Sequence, residues 1–471
     1  MEAIPSFSSV SFGEQHFGAC DLGDKRLNKR VIFTANRMLE HPGGTLPDKL
    51  KDSDSNADLV GLYRLANNPK VTHAKLMAAH CQRTRDLIAM TTGVVLIIHD
   101  TTELDFSGLD IEQMGPIGNG GCRGYLCHNS LAYDYQAGEV LGLANQTLHV
   151  RRRVPKQESP TAKRDHPDRE SRLWKKGWTA LGPAPEGCVR VNIADRGADL
   201  FEFIEAVDRN SDRYCIRSKS NRNIELSDGQ GGVSKVRLHD WARQLPTLGT
   251  RVVSVQANHG QKARTATVRV AAGAISIKAP HFARGEHSQE NLRAWVVYVC
   301  EVDPPKNSTP LEWILLTNSA AVCFERACER IDWYACRPII EEFHKAQKTG
   351  CGIELPQFTT GAALQVPIAL LSVVATQLLR LRDLSRREDA VIRPARQVMD
   401  PIYVNVLSAW RYKEVRAELS VHDFCLALAK LGGHLNRKHD KPSGWLVLWR
   451  GWTTLQLLVE GAEAGAIAKC V

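Results

Sequence analysis

The chain has 471 residues, in which 61 Lys and Arg stand against 52 Asp and Glu, for a formal net charge of +9. This length exceeds what one hydrophobic core usually supports, so we expect a catalytic-sized domain with several smaller units. The positive charge favours a polyanionic partner, nucleic acid above all, through the summed field of the protein. The first residues lack a basic segment followed by an apolar run, so we expect no secretion signal and a cytoplasmic protein.

The cysteines and the most apolar segment exclude two further classes. Thirteen cysteines, without a C-x-x-C pair, favour reduced and packed thiols over a disulfide framework. Cys122, Cys127 and His128 could contribute to a metal site, but no fourth ligand lies at a recognised spacing. The most apolar run, from Leu364, contains two glutamines, a proline and an arginine, which favours a buried helix over a membrane span.

Helical patterns dominate from residue 21 to about residue 80. The first predicted helix turns Leu27, Val31, Thr34, Ala35 and Met38 toward a core. The basic residues left on its outer side are Lys25, Arg26, Lys29, Arg30 and Arg37. Such a face can grip DNA by neutralising phosphates, although a basic face that is merely solvated fits equally well.

Strand patterns follow the helices. An apolar run from Val94 to Ile98 predicts a strand buried on both faces, with Asp100 at its C-terminal end. Two further strands are predicted from Asn129 and from Val140, joined by a hairpin. These strands indicate the start of a mixed α/β domain.

A second carboxylate follows a second strand. Alternating apolar residues from Val189 to Ile193 predict a strand that ends at Asp195, followed by a helix over 198–207. Sites in α/β sheets form at the carboxyl ends of strands, so Asp100 and Asp195 are candidate site residues. Asp195 could instead cap the helix that follows it.

A long β-rich segment comes next. A strand from Arg213 carries Arg217 and Lys219 at its outer end. Five short strands are then predicted between about 222 and 317: RVVSVQA, ARTATVRVAA, AISIKA, AWVVYVCEV and EWILLT. We interpret this segment as a β insertion that separates Asp195 from the helical sequence after it.

The remaining sequence is helical, from about 322 to 387 and again after 388. Near its end, Trp445, Trp449 and Trp452 are spaced to lie on one side of a helix. Core packing and a dimer surface both fit this spacing.

The segment DWYACRPIIEEFHKAQKTG, from 332 to 350, carries the densest set of functional side chains. At about 100° per residue, Tyr334, Arg337, Glu341 and Lys348 lie on one side of a continuous helix. An ordinary pair between Glu341 and Lys345 on a solvated face is the alternative. A proline directly after Arg337 predicts either a kink or a new helix that starts there.

Two strand-end aspartates and a helix glutamate suit a hard cation. Asp100, Asp195 and Glu341 would offer carboxylate ligands to Mg²⁺ or Mn²⁺. Two such ions about 4 Å apart support in-line displacement at a phosphodiester. Arg337 and Lys348 would then hold phosphates. Glycoside hydrolysis also uses strand-end acids but needs no basic face, and a purely DNA-binding protein needs no acidic cluster.

Four ordered motifs resemble the DDE transposases of the insertion-sequence-four family, and the likeness covers nearly the entire chain. They are HDTT with Asp100, DRGAD with Asp195, PPKNSTPLEWILLT with Trp313, and Tyr334-x2-Arg337-x3-Glu341-x6-Lys348. The resemblance implies an α/β protein with a ribonuclease-H-like mixed-sheet core and a large β-strand insertion. Helical N- and C-terminal domains would flank that core.

The resemblance also implies a division of the chain into five parts. They are a helical transposon-end DNA-binding domain (1–75), the first part of the core (76–220), the β insertion (221–317), the second part of the core (318–385) and a helical dimerisation region (386–471).

By resemblance, the enzyme uses two divalent metal ions held by Asp100, Asp195 and Glu341. It cuts at the element's end, forms and reopens a hairpin, and joins the 3′ ends to target DNA. Trp313 matches a tryptophan that stacks on a flipped base, although packing within the insertion is the alternative. Tyr334, Arg337, Lys348, Arg217 and Lys219 would contact DNA, as would the N-terminal basic face.

The resemblance implies partners as well. We expect double-stranded DNA, as transposon-end inverted repeats and as target, a homodimer in the synaptic complex, no membrane, and a nucleoid-associated protein in a bacterial cytoplasm. The alternative function is that of an inactive relative that occupies the ends as an inhibitor.

Overall fold

The computed structural model describes residues 10–50, 56–227, 233–255, 264–281, 285, 287–306, 308–437, 439–440 and 442–468. The helices are α1 (Phe12–Phe17), α2 (Lys25–Glu40), α3 (Leu46–Lys49), α4 (Ala57–Ala66), α5 (His73–Met90), α6 (Pro160–Asp165), α7 (Arg172–Thr179), α8 (Phe201–Arg209), α9 (Leu238–Gln244), α10 (Phe324–Ala335), α11 (Pro338–Lys345), α12 (Gly361–Arg386), α13 (Pro401–Tyr412), α14 (Val421–Leu431) and α15 (Trp445–Ala468).

The strands are β1 (Gly93–Asp105), β2 (Gly115–Ile117), β3 (Cys122–Asp134), β4 (Glu139–His149), β5 (Cys188–Ala194), β6 (Arg213–Arg217), β7 (Asn223–Ser227), β8 (Val233–Arg237), β9 (Gly249–Val255), β10 (Arg264–Ile277), β11 (Leu292–Glu301) and β12 (Glu312–Thr317). Short 3₁₀ turns lie at Arg196–Ala198, Glu388–Val391 and Ala395–Gln397, and a π-helical turn lies at Ala346–Gly350.

Within the described ranges, twelve strands form one mixed sheet in the order β2-β3-β1-β5-β6-β12-β11-β10-β7-β8, with β4 paired to β3 and β9 to β10. β1 is antiparallel to β3 and parallel to β5, and β5 is parallel to β6. Helices cover both faces, because successive side chains of a strand point to opposite sides. On β1, Leu96 and Ile98 join one hydrophobic core, whereas Val95 and Ile97 join the other. The chain is therefore a mixed α/β protein with helices at both ends.

The β-rich segment after β6 extends this same sheet. Strand β12 pairs with both β6 and β11, so the segment continues the hydrogen-bonded ladder outward. Two strands that we predicted separately, ARTATVRVAA and AISIKA, are one strand, β10. The glycine between them, Gly273, does not form a turn. A Cβ there would lie 2.5 Å from the ring of Trp241, so the glycine leaves room for this tryptophan of α9.

The helical sequence after β12 is interrupted, which corrects the prediction of continuous helix from 322 to 387. α10 ends at Ala335, α11 begins with Pro338, and residues 351–360 are not helical. Proline lacks the amide hydrogen that a continuing helix needs, but it is well tolerated at a first helical position. Of the two alternatives predicted at this proline, a kink or a new helix, the structure has the new helix, which begins with Pro338.

The apolar helix α12 lies at the centre of the helical layer. It packs against β4, α2, α4, α5 and α15. It is long and apolar enough to span a bilayer, but 89% of its most apolar stretch is buried inside the protein. This burial matches the predicted core helix.

The three tryptophans of α15 are also core residues. Trp445, Trp449 and Trp452 are buried within the single chain, and Trp452 stacks on Tyr403 of α13 with ring centroids 4.8 Å apart. Core packing therefore explains their spacing.

Candidate active site

Strands β1 and β5 position the two aspartates next to each other. The last residue of β5, Ala194, pairs with His99, so Asp195 follows directly beside Asp100. Asp100 lies within β1 rather than at its end, which corrects the prediction. β1 continues to Asp105 because its antiparallel pairing with β3 continues after β5 has ended. The site thus forms where the parallel neighbour stops.

Asp195 caps the turn that follows β5 and also faces the Arg337 guanidinium. Its Oδ1 accepts a hydrogen bond of 2.7 Å from the Gly197 amide and so caps the 3₁₀ turn after β5. Its Oδ2 lies 3.8 Å from Nη2 of Arg337. The helix predicted from residue 198 starts only at Phe201, because this capped turn comes first.

Helix α11 carries the third carboxylate to the same place. Glu341 lies in its first turn, four residues after Arg337, so the two side chains meet along the helix surface. The two form an ion pair. Glu341 therefore pairs with Arg337, rather than with Lys345 as the alternative proposed.

The Arg337 guanidinium contacts all three carboxylates. Its Nη2 donates to Asp100 Oδ2 at 2.9 Å and lies 3.8 Å from Asp195, while Nη1 contacts Glu341. The exposed fraction of the side chain rises from 15% for Asp100 and 17% for Arg337 to 37% for Asp195 and 49% for Glu341. The cluster is therefore enclosed on the sheet side and open to solvent on the helix side.

The electrostatics reflect this crowding. Burial raises the pKa of Asp100 to about 6, with further increases from Asp195 and Glu341, and Arg337 opposes the rise. Burial alone would lower the pKa of Arg337, but the neighbouring carboxylates outweigh it and raise that pKa above its usual value. Positive charge is therefore what keeps Asp100 ionised near neutral pH.

The donor set suits a hard divalent ion, since it consists of carboxylate oxygens. As the side chains are placed, the described ranges hold no group of three His, Cys, Asp or Glu residues close enough to bind a metal ion. The Arg337 guanidinium stands between the three carboxylates instead. The ligand chemistry fits, and an ion would enter only as the guanidinium gives up some of these contacts.

The fold does not support the alternative metal site at Cys122, Cys127 and His128. Cys127 and His128 are neighbours in β3, so their side chains point to opposite faces of the sheet. Cys127 is buried and Cys122 is exposed. These three residues cannot converge on one ion.

An aromatic pair adjoins the acidic cluster. The rings of Trp313 on β12 and Tyr334 on α10 meet edge to face, with centroids 5.2 Å apart. Tyr334 is only 6% exposed, and burial raises its pKa to about 12. We grouped Tyr334 with the DNA-contacting residues, but it packs here. The half-buried Arg217 lies beside it and donates to the Glu312 carbonyl at 2.8 Å.

Lys348 lies in the π-helical turn after α11 and is separated from the Arg337 cluster. Its Nζ pairs with Glu354 at 3.1 Å. It lines a groove of about 560 Å³ together with Thr101, which follows Asp100, and Arg151. This open groove runs along the outer part of β1, from Thr101 to Glu103.

Most of the other basic residues predicted to contact DNA are exposed, whereas Arg30 and Arg37 on α2 are half-buried. Lys25, Arg26, Lys29 and Lys219 are exposed. Arg30 is half-buried and pairs with Asp58 of α4 at 2.9 Å, so it also holds two helices together. On α2 the predicted core residues Val31, Thr34, Ala35 and Met38 are buried, whereas Leu27 is half-buried.

Several polar residues behind the site were not predicted from the sequence. Asn129 on β3 lies directly opposite Asp100, and its Nδ2 lies 3.2 Å from Nε2 of His344 on α11. Glu354 pairs with Lys348 across a loop. The signal available was the polar run His128-Asn129-Ser130 inside an otherwise apolar strand, which needs partners when buried.

Residues 9–71 match the family model described as transposase DNA-binding. The match includes the four helices α1 to α4 with the exposed basic residues of α2 and ends just before α5. It supports a transposase, with DNA as its partner.

Proposed function

We propose that this chain is a cut-and-paste DNA transposase of the DDE type, in the insertion-sequence-four family and similar to the transposase of bacterial transposon five. The observation that carries the proposal is the convergence of Asp100, Asp195 and Glu341 on one guanidinium at the sheet edge. A transposase DNA-binding match in the same chain supports it.

Strand connectivity supports a ribonuclease-H-like core for this site. Five neighbouring strands run in the order β4-β3-β1-β5-β6, with an antiparallel meander of β1, β3 and β4 and parallel pairing of β1, β5 and β6. The parallel strands bring Asp100 and Asp195 to one edge. Helix α11 then adds Glu341 from the face that it covers.

Asp100, Asp195 and Glu341 would hold two Mg²⁺ or Mn²⁺ ions, which when bound supply an activated water and stabilise the leaving oxygen of a phosphodiester. Burial raises the pKa of Asp100 to about 6 even with Arg337 beside it, so a cation close to its oxygens would favour the ionised form further. Arg337, released from Glu341, would hold a phosphate of the cleaved strand through its paired N–H groups. Lys348 would bind a second phosphate in the groove.

The remaining roles follow the same division. The basic face of α2 would bind the transposon end, and a second copy of the chain would complete the synaptic complex with target DNA. Trp313, next to Tyr334 and half-buried, would receive a base flipped out during hairpin formation.

The test is Mn²⁺-dependent cutting of a duplex that contains the inverted repeat flanking the coding sequence. Asp195→Asn and Glu341→Gln should each slow cutting by about 1,000-fold or more, because removing a ligand forfeits several kcal/mol of transition-state stabilisation. Glu342→Gln is the matched control, since Glu342 is the next residue of α11 and pairs with Arg382 instead. It should cut at close to the wild-type rate.

Two outcomes would overturn the assignment. If Glu341→Gln cut the duplex at the wild-type rate, the assignment of Glu341 and its neighbours as a metal site would be wrong. Tight and specific binding of the duplex by the wild-type protein, without any nick in Mn²⁺, would favour the second candidate, an inactive relative that acts as an end-binding inhibitor. The DNA-binding match fits both candidates, whereas the intact acidic cluster favours the enzyme.

A further inference from the structure

A row of buried polar side chains runs behind the acidic cluster. Asp100 on β1 pairs with Asn129 on β3, and Asn129 pairs with Gln146 on β4. Directly paired residues place their side chains on the same face of a sheet. This face is the one covered by α11 and α12, so the row reaches from the candidate site into the core.

Hydrogen bonds connect this row to the helix that carries Glu341. Gln146 Nε2 donates to Asn129 Oδ1 at 2.8 Å, which leaves the Asn129 amide nitrogen as the donor toward His344 Nε2 at 3.2 Å. His344 must then be neutral and accept at Nε2. Its burial agrees, because it lowers the pKa of His344 to about 3.

The row continues to the helix after the matched DNA-binding segment. Gln146 Oε1 accepts from Nε2 of His73, the first residue of α5, at 3.0 Å. Gln146 Nε2 also lies 3.0 Å from Ser372 Oγ on α12, and that oxygen accepts from Gln347 of the π-helical turn at 2.9 Å. The side-chain amide nitrogens of Asn129, Gln146 and Gln347 each meet an acceptor, so one arrangement of these amides accounts for the contacts along the row.

We propose that Asn129 and His344 are positioning residues that fix the distance between Glu341 and Asp100. His344 follows Glu341 by three residues, so it anchors the adjacent turn of α11 to the strand that pairs with Asp100. Gln146 and His73 connect this anchor to the start of α5, which follows the matched DNA-binding segment. The metal-binding part of the proposal rests on the proposed function.

The physical reason is the geometry that a divalent ion demands. The side chain of Glu341 is 49% exposed, so few packing contacts on that side hold α11 in position. Side chains that orient metal ligands from behind typically change metal affinity by about 10–100-fold when they are removed. The row supplies that orientation through neutral groups and adds no charge to the site.

The decisive comparison is His344→Leu against His344→Gln. The glutamine carbonyl can accept from Asn129, whereas leucine fills similar space without an acceptor. His344→Leu should weaken Mn²⁺ binding, measured by calorimetry, by about 10–100-fold, and should slow cutting at saturating DNA with unchanged affinity for end DNA. His344→Gln should stay close to wild type in all three measurements.

A second variant approaches the same bond from the strand. Asn129→Leu removes the donor and should reproduce the loss of Mn²⁺ affinity even where His344→Leu fails to fold. Amide hydrogen exchange in α11 gives a readout that needs neither metal nor DNA. Exchange over residues 341–345 should quicken in His344→Leu and in Asn129→Leu but not in His344→Gln.

The possible outcomes test the positioning roles and the proposed function separately. Equal exchange in wild type and both leucine variants overturns the positioning roles, and so does a His344→Gln variant as impaired as His344→Leu. A wild-type protein that binds no Mn²⁺ overturns the proposed function, while the exchange comparison still decides whether the row anchors α11.

Discussion

Arg337 occupies the place where a cation would be needed. It neutralises part of the charge of Asp100, Asp195 and Glu341, and its guanidinium is the group that keeps these carboxylates together without a metal ion. In the proposed mechanism an ion would compete with Arg337 for the same oxygens, so metal binding would free the guanidinium for a phosphate.

We expect Arg337→Ala to destabilise the metal-free protein by about 1–3 kcal/mol, because it leaves Asp100 buried beside two like charges. Added Mn²⁺ should then raise the melting temperature more in the variant than in the wild type, since the ion replaces the missing charge. Thermal unfolding with and without Mn²⁺ measures both effects. Arg337→Lys, which keeps the charge without the paired donors, is the control, and equal Mn²⁺ shifts in wild type and Arg337→Ala would contradict the competition.

Trp313 offers a second test at this scale. Its ring adjoins Tyr334 near the cluster. If it receives a flipped base, Trp313→Ala should slow hairpin formation more than first-strand nicking, and Trp313→Phe should recover part of the hairpin rate. Gel assays that follow the two steps separately give the ratio. Equal slowing of both steps would assign Trp313 to packing.

Single residues were predictable where chemistry is visible in the chain itself. The sequence picks out Asp100, Asp195 and Glu341 as candidates because two of them follow apolar strand patterns and the third lies in a predicted helix. It gives no sign that Asn129 faces His344, because that contact joins residues 215 positions apart and depends on strand register. Strand register is a tertiary property that local patterns do not determine.

At the scale of elements, helices α14 and α15 approach closely through a glycine. A Cβ at Gly451 would lie 1.9 Å from the Leu428 carbonyl oxygen, so the two backbones must separate to admit one. We expect Gly451→Ala to lower the free energy of unfolding by about 1–3 kcal/mol, as overpacking does.

Gly461 is the matched control in the same helix. Apart from its two chain neighbours and the backbone of its own helix, no atom of the described residues lies within 4 Å of a Cβ placed there, so Gly461→Ala should stabilise the protein by up to about 1 kcal/mol through helix propensity. Urea unfolding of both variants measures the difference. A similar effect at both positions would mean that α14 and α15 are not in close contact.

Element types were more predictable than element ends. The apolar run at Val94 gives β1, but its extension to Asp105 depends on pairing with β3. Pro338 marks the start of α11 because proline chemistry is local. Gly273 is misleading in the sequence, since a glycine that makes room for a tryptophan looks the same as one that makes a turn.

At the scale of the whole molecule, a buried histidine pair joins the matched DNA-binding segment to the core. His16 Nδ1 lies 2.9 Å from His80 Nδ1, and His80 Nε2 accepts from the Leu143 amide at 3.0 Å. His80 therefore donates from Nδ1, and both rings are neutral. Burial lowers the pKa of His80 to about 3 and lowers that of His16 well below its usual value, with Arg83 and Arg380 nearby adding to the effect.

This pair makes stability fall in acid. Below about pH 6.5 each of these histidines is protonated in the unfolded chain but stays neutral in the folded protein. Each therefore lowers the free energy of unfolding by about 1.4 kcal/mol per pH unit. For His80 the loss continues down to about pH 3. Urea unfolding at pH 7, 6 and 5 should show this slope, and His80→Gln, which cannot be protonated, should make it shallower. An unchanged slope in His80→Gln would contradict the assignment.

The continuous ladder from β6 through β12 to β11 has a mechanical consequence. A segment joined to a core by a flexible linker can change its orientation, whereas strands that share hydrogen bonds move together as one unit. Trp313 lies on β12 in this sheet, and Asp195 follows β5, which pairs with β6. If the acidic cluster cuts DNA and Trp313 receives a flipped base, the distance between them is fixed by the sheet before DNA binds and would set how far the DNA strand must bend.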